Sequence, residues 1–399
     1  MANLPNMKDL NVAGKRVLVR IDFNVPMADG RVTDESRIVA HLPTIEWLVQ
    51  NNAKVILMSH LGRPDGKKNA KYTLKPVAER LSAHISQEVQ FADDCIGSTA
   101  EQAIASLKDG QVLLLENLRF YAEEENNDQT FAKKLAKMTD VYISDAFGTA
   151  HRAHASISSV PQYVQHCAFG NVMNKELEAL TQVLETPEKP VLVIIGGAKI
   201  SSKIDVVRNL LPKADMMMIG GAMANTFLAA LGNKMGNSLY ESEYLQQASR
   251  ILADSAAMGC RLLLPSDVMI ANKLEAGVDA KVAKVDEIPD GQMALDIGPS
   301  TVQLWQRMVH NAQTVLWNGP MGAAEISPFH EGTEAIARAV GESKAYSVAG
   351  GGDTLAALAK TNMTREISYV STGGGALMEF LEGKPLPGIA AITKKATAA

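Results

Sequence analysis

Residues 191–199 read VLVIIGGAK: five apolar residues, then two glycines, an alanine and a lysine. A run this short, without the three-and-four spacing of a helix, fits a strand buried on both faces. Working outward, similar short apolar runs recur at 216–219 (MMMI), 262–264 (LLL), 314–317 (TVLW), 346–349 (YSVA) and 367–370 (ISYV). Upstream lies a second series: 17–22 (VLVRID), 55–60 (VILMSH), 112–117 (VLLLEN) and 141–145 (VYISD). Between the first two of these, residues 36–50 place Ile38, Leu42, Ile45 and Val49 on one helical stripe. Another helix opens at Thr73-Leu74-Lys75-Pro76, with proline where a first turn tolerates it. Strand alternating with helix predicts parallel sheets covered on both faces.

Two series predict two domains. Between them residues 171–185, NVMNKELEALTQVLE, align Val172, Leu177, Leu180 and Leu184, and Pro187 and Pro190 stop the pattern. A helix of that length spans about 22 Å. The expected organisation is α/β: two doubly wound, Rossmann-like parallel-sheet domains joined by a hinge helix. Their bounds are 1–170, a linker helix at 171–189, and 190–378, followed by a C-terminal tail at 379–399 with too little apolar content for a domain.

Composition agrees with that size and narrows the function. A chain of 399 residues and 42.8 kDa exceeds one ordinary core. Its 46% apolar and 21% charged residues are those of a globular protein, which excludes disorder and coiled coil. A net charge of −5 and a pI near 6.0 argue against a nucleic-acid grip. No apolar run reaches the roughly 18 residues of a membrane span, and MANLPNMKDL lacks a signal-peptide core. Cys95, Cys167 and Cys260, an odd number without CxxC spacing, are expected to be reduced and buried in a cytoplasmic protein.

In open parallel sheets ligands bind beyond the carboxyl ends of the strands. For the first domain those ends are Asp22-Phe23-Asn24, His60-Leu61-Gly62-Arg63, Glu116 to Arg119, and Asp145 leading to His151-Arg152, with Arg37 opening the first helix. Four of the chain's fourteen arginines therefore gather where a ligand sits. Arginine's planar fork takes phosphate and carboxylate oxygens in pairs, so the cluster points to a small polyanion. Arg20, inside its strand, reads as structural, paired with a carboxylate. The second domain ends its strands in glycine: Gly196-Gly197, Gly220-Gly221, Asn318-Gly319-Pro320, Gly350-Gly351-Gly352-Asp353-Thr354 and Gly373-Gly374-Gly375. Glycine lets backbone approach a ligand, and N–H groups at a helix start attract phosphate. Lys199 and Lys203, four apart, are expected on one helical face. Asp353 suits either a metal-bound phosphate or an N-cap. Two decoys are set aside: His151 and His154 with Asp145 lack zinc-site spacing, and Glu123-Glu124-Glu125 reads as a solvated loop.

Eight motifs in order now carry a resemblance. VRIDFNVP (19–26), SHLGRP (59–64), ENLRF (116–120), DAFGTAHRAHAS (145–156), GGAKISSK (196–203), WNGPMGAAE (317–325), GGGDT (350–354) and STGGGA (371–376) together resemble the phosphoglycerate kinase family, in its bacterial form. The resemblance covers residues 7 to 390. It implies reversible phosphoryl transfer in glycolysis, from 1,3-bisphosphoglycerate to MgADP, giving 3-phosphoglycerate and MgATP in a cleft closed by hinge motion. By resemblance the triose substrate binds Asp22, Phe23, Asn24, Arg37, His60, Leu61, Gly62, Arg63, Arg119 and Arg152. The nucleotide binds Lys203, Asn318, Pro320, Glu325, Gly351, Gly352, Asp353 and Thr354, with Mg2+ on Asp353. Arg37, Lys199 and the helix starts at Gly351 and Gly374 are implied to stabilise the transferring group. A cytoplasmic monomer, its tail packed back on the first domain, completes the expectation. One departure is Ala294, in MALDIGP, where many relatives have glycine beside the adenine.

Two other classes compete. A nicotinamide dehydrogenase would show GxGxxG after a first strand, and no strand is followed by one. A two-lobed solute-binding protein needs export, and no signal peptide is expected.

Overall fold

A computed structural model of the chain describes residues 4–396. The chain divides into two compact units, one running to Leu177 with the segment from Pro385 added, the other Glu178–Lys384. The boundary falls inside the helix Asn171–Leu184, and the returning segment begins at Pro385 where 379 was expected. Residues 1–3 and 397–399, which belong to the expected first domain and tail, lie outside the described residues.

The first unit is built on six parallel strands, ordered Val89–Ala92, Val112–Leu115, Lys54–Met58, Arg16–Arg20, Val141–Ser144 and His166–Phe169. Four were legible because central strands are apolar on both faces. The two edges were not: VQFA and HCAF each carry a polar residue, as a half-exposed edge allows. The helix Ser36–Gln50 lies where expected, but its buried face is Ile38, His41, Thr44, Ile45 and Leu48, while Leu42 and Val49 are only partly buried. Val17, Val19, Val55, Leu57, Leu114 and Ile143 form the core beneath it, each worth about 1.5–3 kcal/mol when fully buried. The helix Pro387–Ala396 docks on this unit, burying Ile392 and bonding Gly388 N–H to Ala150 O at 2.8 Å.

The second unit repeats the plan, ordered Arg261–Leu263, Met216–Ile219, Val191–Ile195, Thr314–Asn318, Tyr346–Gly350 and Tyr369–Ser371. It also holds an antiparallel sheet the apolar runs did not announce, Lys281–Lys284, Asp267–Ala271 and Met293–Ile297. Its edge strand, KVAK, is too charged to read as a buried run. It closes over a small separate core of Leu228, Met235, Val268 and Ile270. No helix among the described residues is long and apolar enough to cross a membrane. Cys95 and Cys260 are buried, whereas Cys167 is only half-buried.

Both sheets reverse direction beside their central strand. From Arg16–Arg20 the chain goes first to Lys54–Met58 on one side and later to Val141–Ser144 on the other. Val191–Ile195 stands likewise between Met216–Ile219 and Thr314–Asn318. Such reversals open a crevice at the strands' carboxyl ends.

Candidate active site

In the first unit the crevice is cationic and held by side chains. Asp22 Oδ2 lies 2.8 Å from Arg37 Nη1, and Asp22 Oδ1 accepts from Asn24 N–H at 3.1 Å. Asn24 Oδ1 accepts from Gly62 N–H at 2.8 Å, and Gly62 O accepts from Arg119 Nη1 at 2.9 Å. Burial pushes the Asp22 carboxyl up, but His60, Arg37, Arg20 and the Asn24 N–H together outweigh it and hold it below the ordinary value. Burial, reinforced by Arg20, drives His60 well below its ordinary value. Arg20 Nη2 meets His60 Nδ1 at 3.2 Å, so Nδ1 accepts and Nε2–H is left to donate to a ligand.

Arg63 and Arg152 are exposed, and among the described residues neither has a carboxylate in ion-pair range. Arg119 feels the field of Arg63, and His154, driven down to about 4 by burial first and then by Arg119, Arg20 and Arg152, reports Arg152 in the same neighbourhood. Phe23 and Leu61 are buried, so what they offer a ligand is backbone.

Two readings of this region need correcting. Arg20 does not pair directly with a carboxylate: its Nε donates to Ser156 Oγ at 3.0 Å, and Ser156 Oγ donates to Glu124 Oε1 at 2.5 Å. Buried at the end of its strand, Arg20 reaches Glu124 through that serine. Nor is 123–125 a solvated loop: Glu124 is fully buried, and Glu125 pairs with Arg119 Nε at 3.2 Å. Asp145 gives both oxygens to His41 and to backbone amides, as described below. Sequence reasoning also missed Asn117, whose side chain ties Leu61 N–H, Leu61 O and Tyr72 O together. Its place in ENLRF beside Arg119 was the available signal.

In the second unit the crevice is made of backbone. Gly196 and Gly319 meet so closely that a Cβ on Gly319 would lie 2.2 Å from Gly196 O. Lys203 Nζ sits beside them, donating to Gly196 O at 2.6 Å and to Asn318 Oδ1 at 2.7 Å. Burial lowers this amine to about 8 against the pull of Asp353. Lys199 and Lys203 do not share a helical face: the helix is Ile204–Leu210, Lys203 caps it and Lys199 lies in the exposed turn before it. Glu241 breaks the pattern by binding Ser201 N–H and Oγ in that turn.

Asn318 Nδ2 donates to Gly350 O at 2.8 Å, and Gly319 N–H donates to Thr354 Oγ1 at 2.7 Å. These bonds pin the start of the helix Gly352–Lys360, whose N-cap is Gly351 at φ +99°. Asp353 is therefore not the N-cap; it is exposed in the first turn of the helix. Gly374, at φ +53°, caps Gly375–Leu381 with open space before it. Beside Asp353 lies a cavity of about 510 Å³ walled by Leu239, Leu274, Met293, Ala294, Pro320 and Glu325. A mostly apolar slot next to a glycine-rich helix start fits a flat base with its phosphates at the amides.

Comparison with known proteins decides the family. The phosphoglycerate kinase family model matches residues 7–384. The chain belongs to the phosphoglycerate kinase family. A phosphoglycerate kinase of Moorella thermoacetica is 51% identical over 99% of this chain and 100% of that protein. One from Thermosipho africanus is 48% identical over 98% of each. The solved structure of phosphoglycerate kinase from Coxiella burnetii superposes with a TM-score of 0.94 at 42% identity, covering 99% of this chain and 100% of that one. The activity is that of the family: reversible phosphoryl transfer between 1,3-bisphosphoglycerate and ADP, giving 3-phosphoglycerate and ATP.

Proposed function

We propose that the first unit holds the triose and the second the nucleotide, with the phosphoryl group passing directly between them. The observation that carries this division is chemical. One strand-end crevice is lined by arginine and neutral histidine, the other by glycine backbone, one lysine and an apolar slot.

Arg63, Arg119, Arg152 and His60 Nε2–H bind the anionic ends of 3-phosphoglycerate or 1,3-bisphosphoglycerate, while Asp22 and Asn24 orient its hydroxyl and the Arg37 fork. The backbone of Phe23, Leu61 and Gly62 completes that set. The base enters the slot beside Pro320 and Ala294, with Glu325 on the sugar, and Lys203, Asn318 and Gly351 to Thr354 hold the phosphates. Arg37, Lys199 and the helix starts at Gly351 and Gly374 stabilise charge on the transferring group, so positioning and preorganised charge do the work without a covalent intermediate.

Asp353 fits a magnesium ligand because its carboxylate is exposed at the phosphate end of the slot. When bound, magnesium neutralises phosphate oxygens. The protein acts as a cytoplasmic monomer. A coupled assay with 3-phosphoglycerate and ATP tests the reading: turnover is expected to need both substrates and to vanish on chelation of magnesium. Turnover unaffected by chelation contradicts the role of Asp353.

A further inference from the structure

The helix Ser36–Gln50 carries Arg37 in its first turn and buries His41 one turn later. An imidazole with 3% of its surface exposed requires partners for both nitrogens. Nε2 lies 3.1 Å from the backbone nitrogen of Asp22, and Nδ1 lies 3.1 Å from Asp145 Oδ2. An N–H only donates and a carboxylate only accepts, so the proton sits on Nδ1 and Nε2 accepts.

Asp145 is itself anchored. Its Oδ1 accepts from Val172 N–H at 2.8 Å and Met173 N–H at 3.1 Å, in the first turn of Asn171–Leu184. Gly170 presses so close that a Cβ there would lie 2.3 Å from the Asp145 carboxyl carbon. The Phe23 ring packs edge-on to the imidazole, centroids 5.8 Å apart.

Asp22 is where this matters. Ile21 N–H still bonds across the sheet to Met58 O, but the strand is ending, and the next N–H must find a partner elsewhere. His41 supplies it. One helix therefore grips Asp22 twice, at the backbone through His41 and at the carboxylate through Arg37, four residues apart on one face.

We propose that His41, braced by Asp145, is a positioning residue for triose binding. It holds the Asp22–Asn24 loop in place when Arg37 turns from Asp22 to the substrate. The proposal rests on the triose assignment of Asp22 and Arg37 made above.

The test compares His41→Phe, which keeps the ring and removes both nitrogens, with His41→Gln, which keeps one donor and one acceptor. Each full-length variant is assayed for KM and kcat with 3-phosphoglycerate and with ATP. His41→Phe is expected to raise KM for 3-phosphoglycerate roughly tenfold, the scale of one lost hydrogen bond, while KM for ATP stays within about twofold. His41→Gln is expected to recover most of the loss. An unchanged triose KM in folded His41→Phe, an equal rise in both KM values, or a Gln variant as impaired as Phe overturns the proposal. If His41→Phe does not fold, nitrogen NMR of the wild type decides: Nδ1–H supports the arrangement and Nε2–H overturns it. Arg37→Ala separates the layers. If it is impaired and His41→Phe is not, only this inference fails; if neither is, the triose assignment fails as well.

Discussion

The two units share a sheet plan and a switch-point crevice but build those crevices by opposite means. In the first, Asp22, Asn24, His60, Arg37 and Arg119 form a side-chain lattice, and the backbone is mostly what they are tied to. In the second, Gly196, Gly319 and Gly351 bring the main chain itself to the crevice, and Asn318 and Thr354 only brace it. A side-chain site can be tuned charge by charge, at the cost of burying titratable groups. A backbone site carries little charge to titrate, but it tolerates no Cβ where main chain meets main chain, as at Gly196 and Gly319. The same fold thus supports two recognition chemistries, and substitutions should fail differently in each.

The largest effect is expected at Arg37. Arg37→Ala should lower turnover at least about a hundredfold, since one preorganised cation on developing charge is worth roughly 3–4 kcal/mol. The fold should survive, because Arg37 lies at the rim of its helix. Turnover of the folded variant within threefold of wild type would break the side-chain half of the comparison.

Next comes the backbone half. Gly351→Ala puts a side chain at φ +99° with its Cβ 3.0 Å from Asn318 Nδ2, strain of about 1–3 kcal/mol. KM for ATP should rise roughly tenfold on that scale while KM for 3-phosphoglycerate is unmoved. Gly352→Ala, with nothing within 4 Å of its Cβ and no positive φ, adds a side chain without that backbone strain, and should raise KM for ATP less than Gly351→Ala does. Equal effects from the two glycines would show that the main-chain conformation at Gly351 is not what binds phosphate.

This contrast also decides what could be read in the sequence. VLVII at 191–195 coincides with its strand, and MMMI at 216–219 does too, because central parallel strands are uniformly apolar. Glycine and arginine beyond the strand ends were equally visible, because both follow directly on apolar runs. Hidden were features that depend on partners distant in sequence. His41 and Thr44 look like breaks in an apolar stripe until Asp145 and Asn171 are placed against them. Glu124 looks solvated until Ser156 and Arg20 close over it. Lys199 and Lys203 share helical spacing, but Glu241, about forty residues on, holds the turn between them out of the helix. Spacing reports local periodicity; it does not report which buried carboxylate will claim an amide.

A smaller, pH-dependent effect belongs to Lys203, a half-buried cation of the backbone site. Its folded value is lowered to about 8, chiefly by burial, against an ordinary 10.5. Between those values the unfolded chain binds more protons, so this group makes stability rise with pH across about 8 to 10.5. Nucleotide binding should move the other way, KM for ATP rising a few-fold above pH 8 as the ammonium loses its charge. Lys203→Ala should abolish that pH dependence and raise KM for ATP at neutral pH, leaving KM for 3-phosphoglycerate nearly constant. Calorimetry showing both ligands weakened equally would contradict the assignment.

The smallest effect is one of dimension. Direct transfer needs the reacting atoms about 3–3.5 Å apart, so under the proposed division of roles the two units must come together in the productive complex. Closure also removes water, which otherwise competes as phosphoryl acceptor. The units are joined through Asn171–Leu184, a helix about 21 Å long. Under that division each ligand alone would bind groups of one unit and gain little from closure. Both together gain from it, and the population shifts by that difference in affinity. A single compact globule of this length has a radius of gyration near 21 Å, and an open form exceeds it. Small-angle scattering should therefore show a clear decrease only with 3-phosphoglycerate and nucleotide present together. A full decrease with either one alone would mean that one unit's recognition chemistry is sufficient to drive closure, and the separation of roles between the two crevices would have to be abandoned.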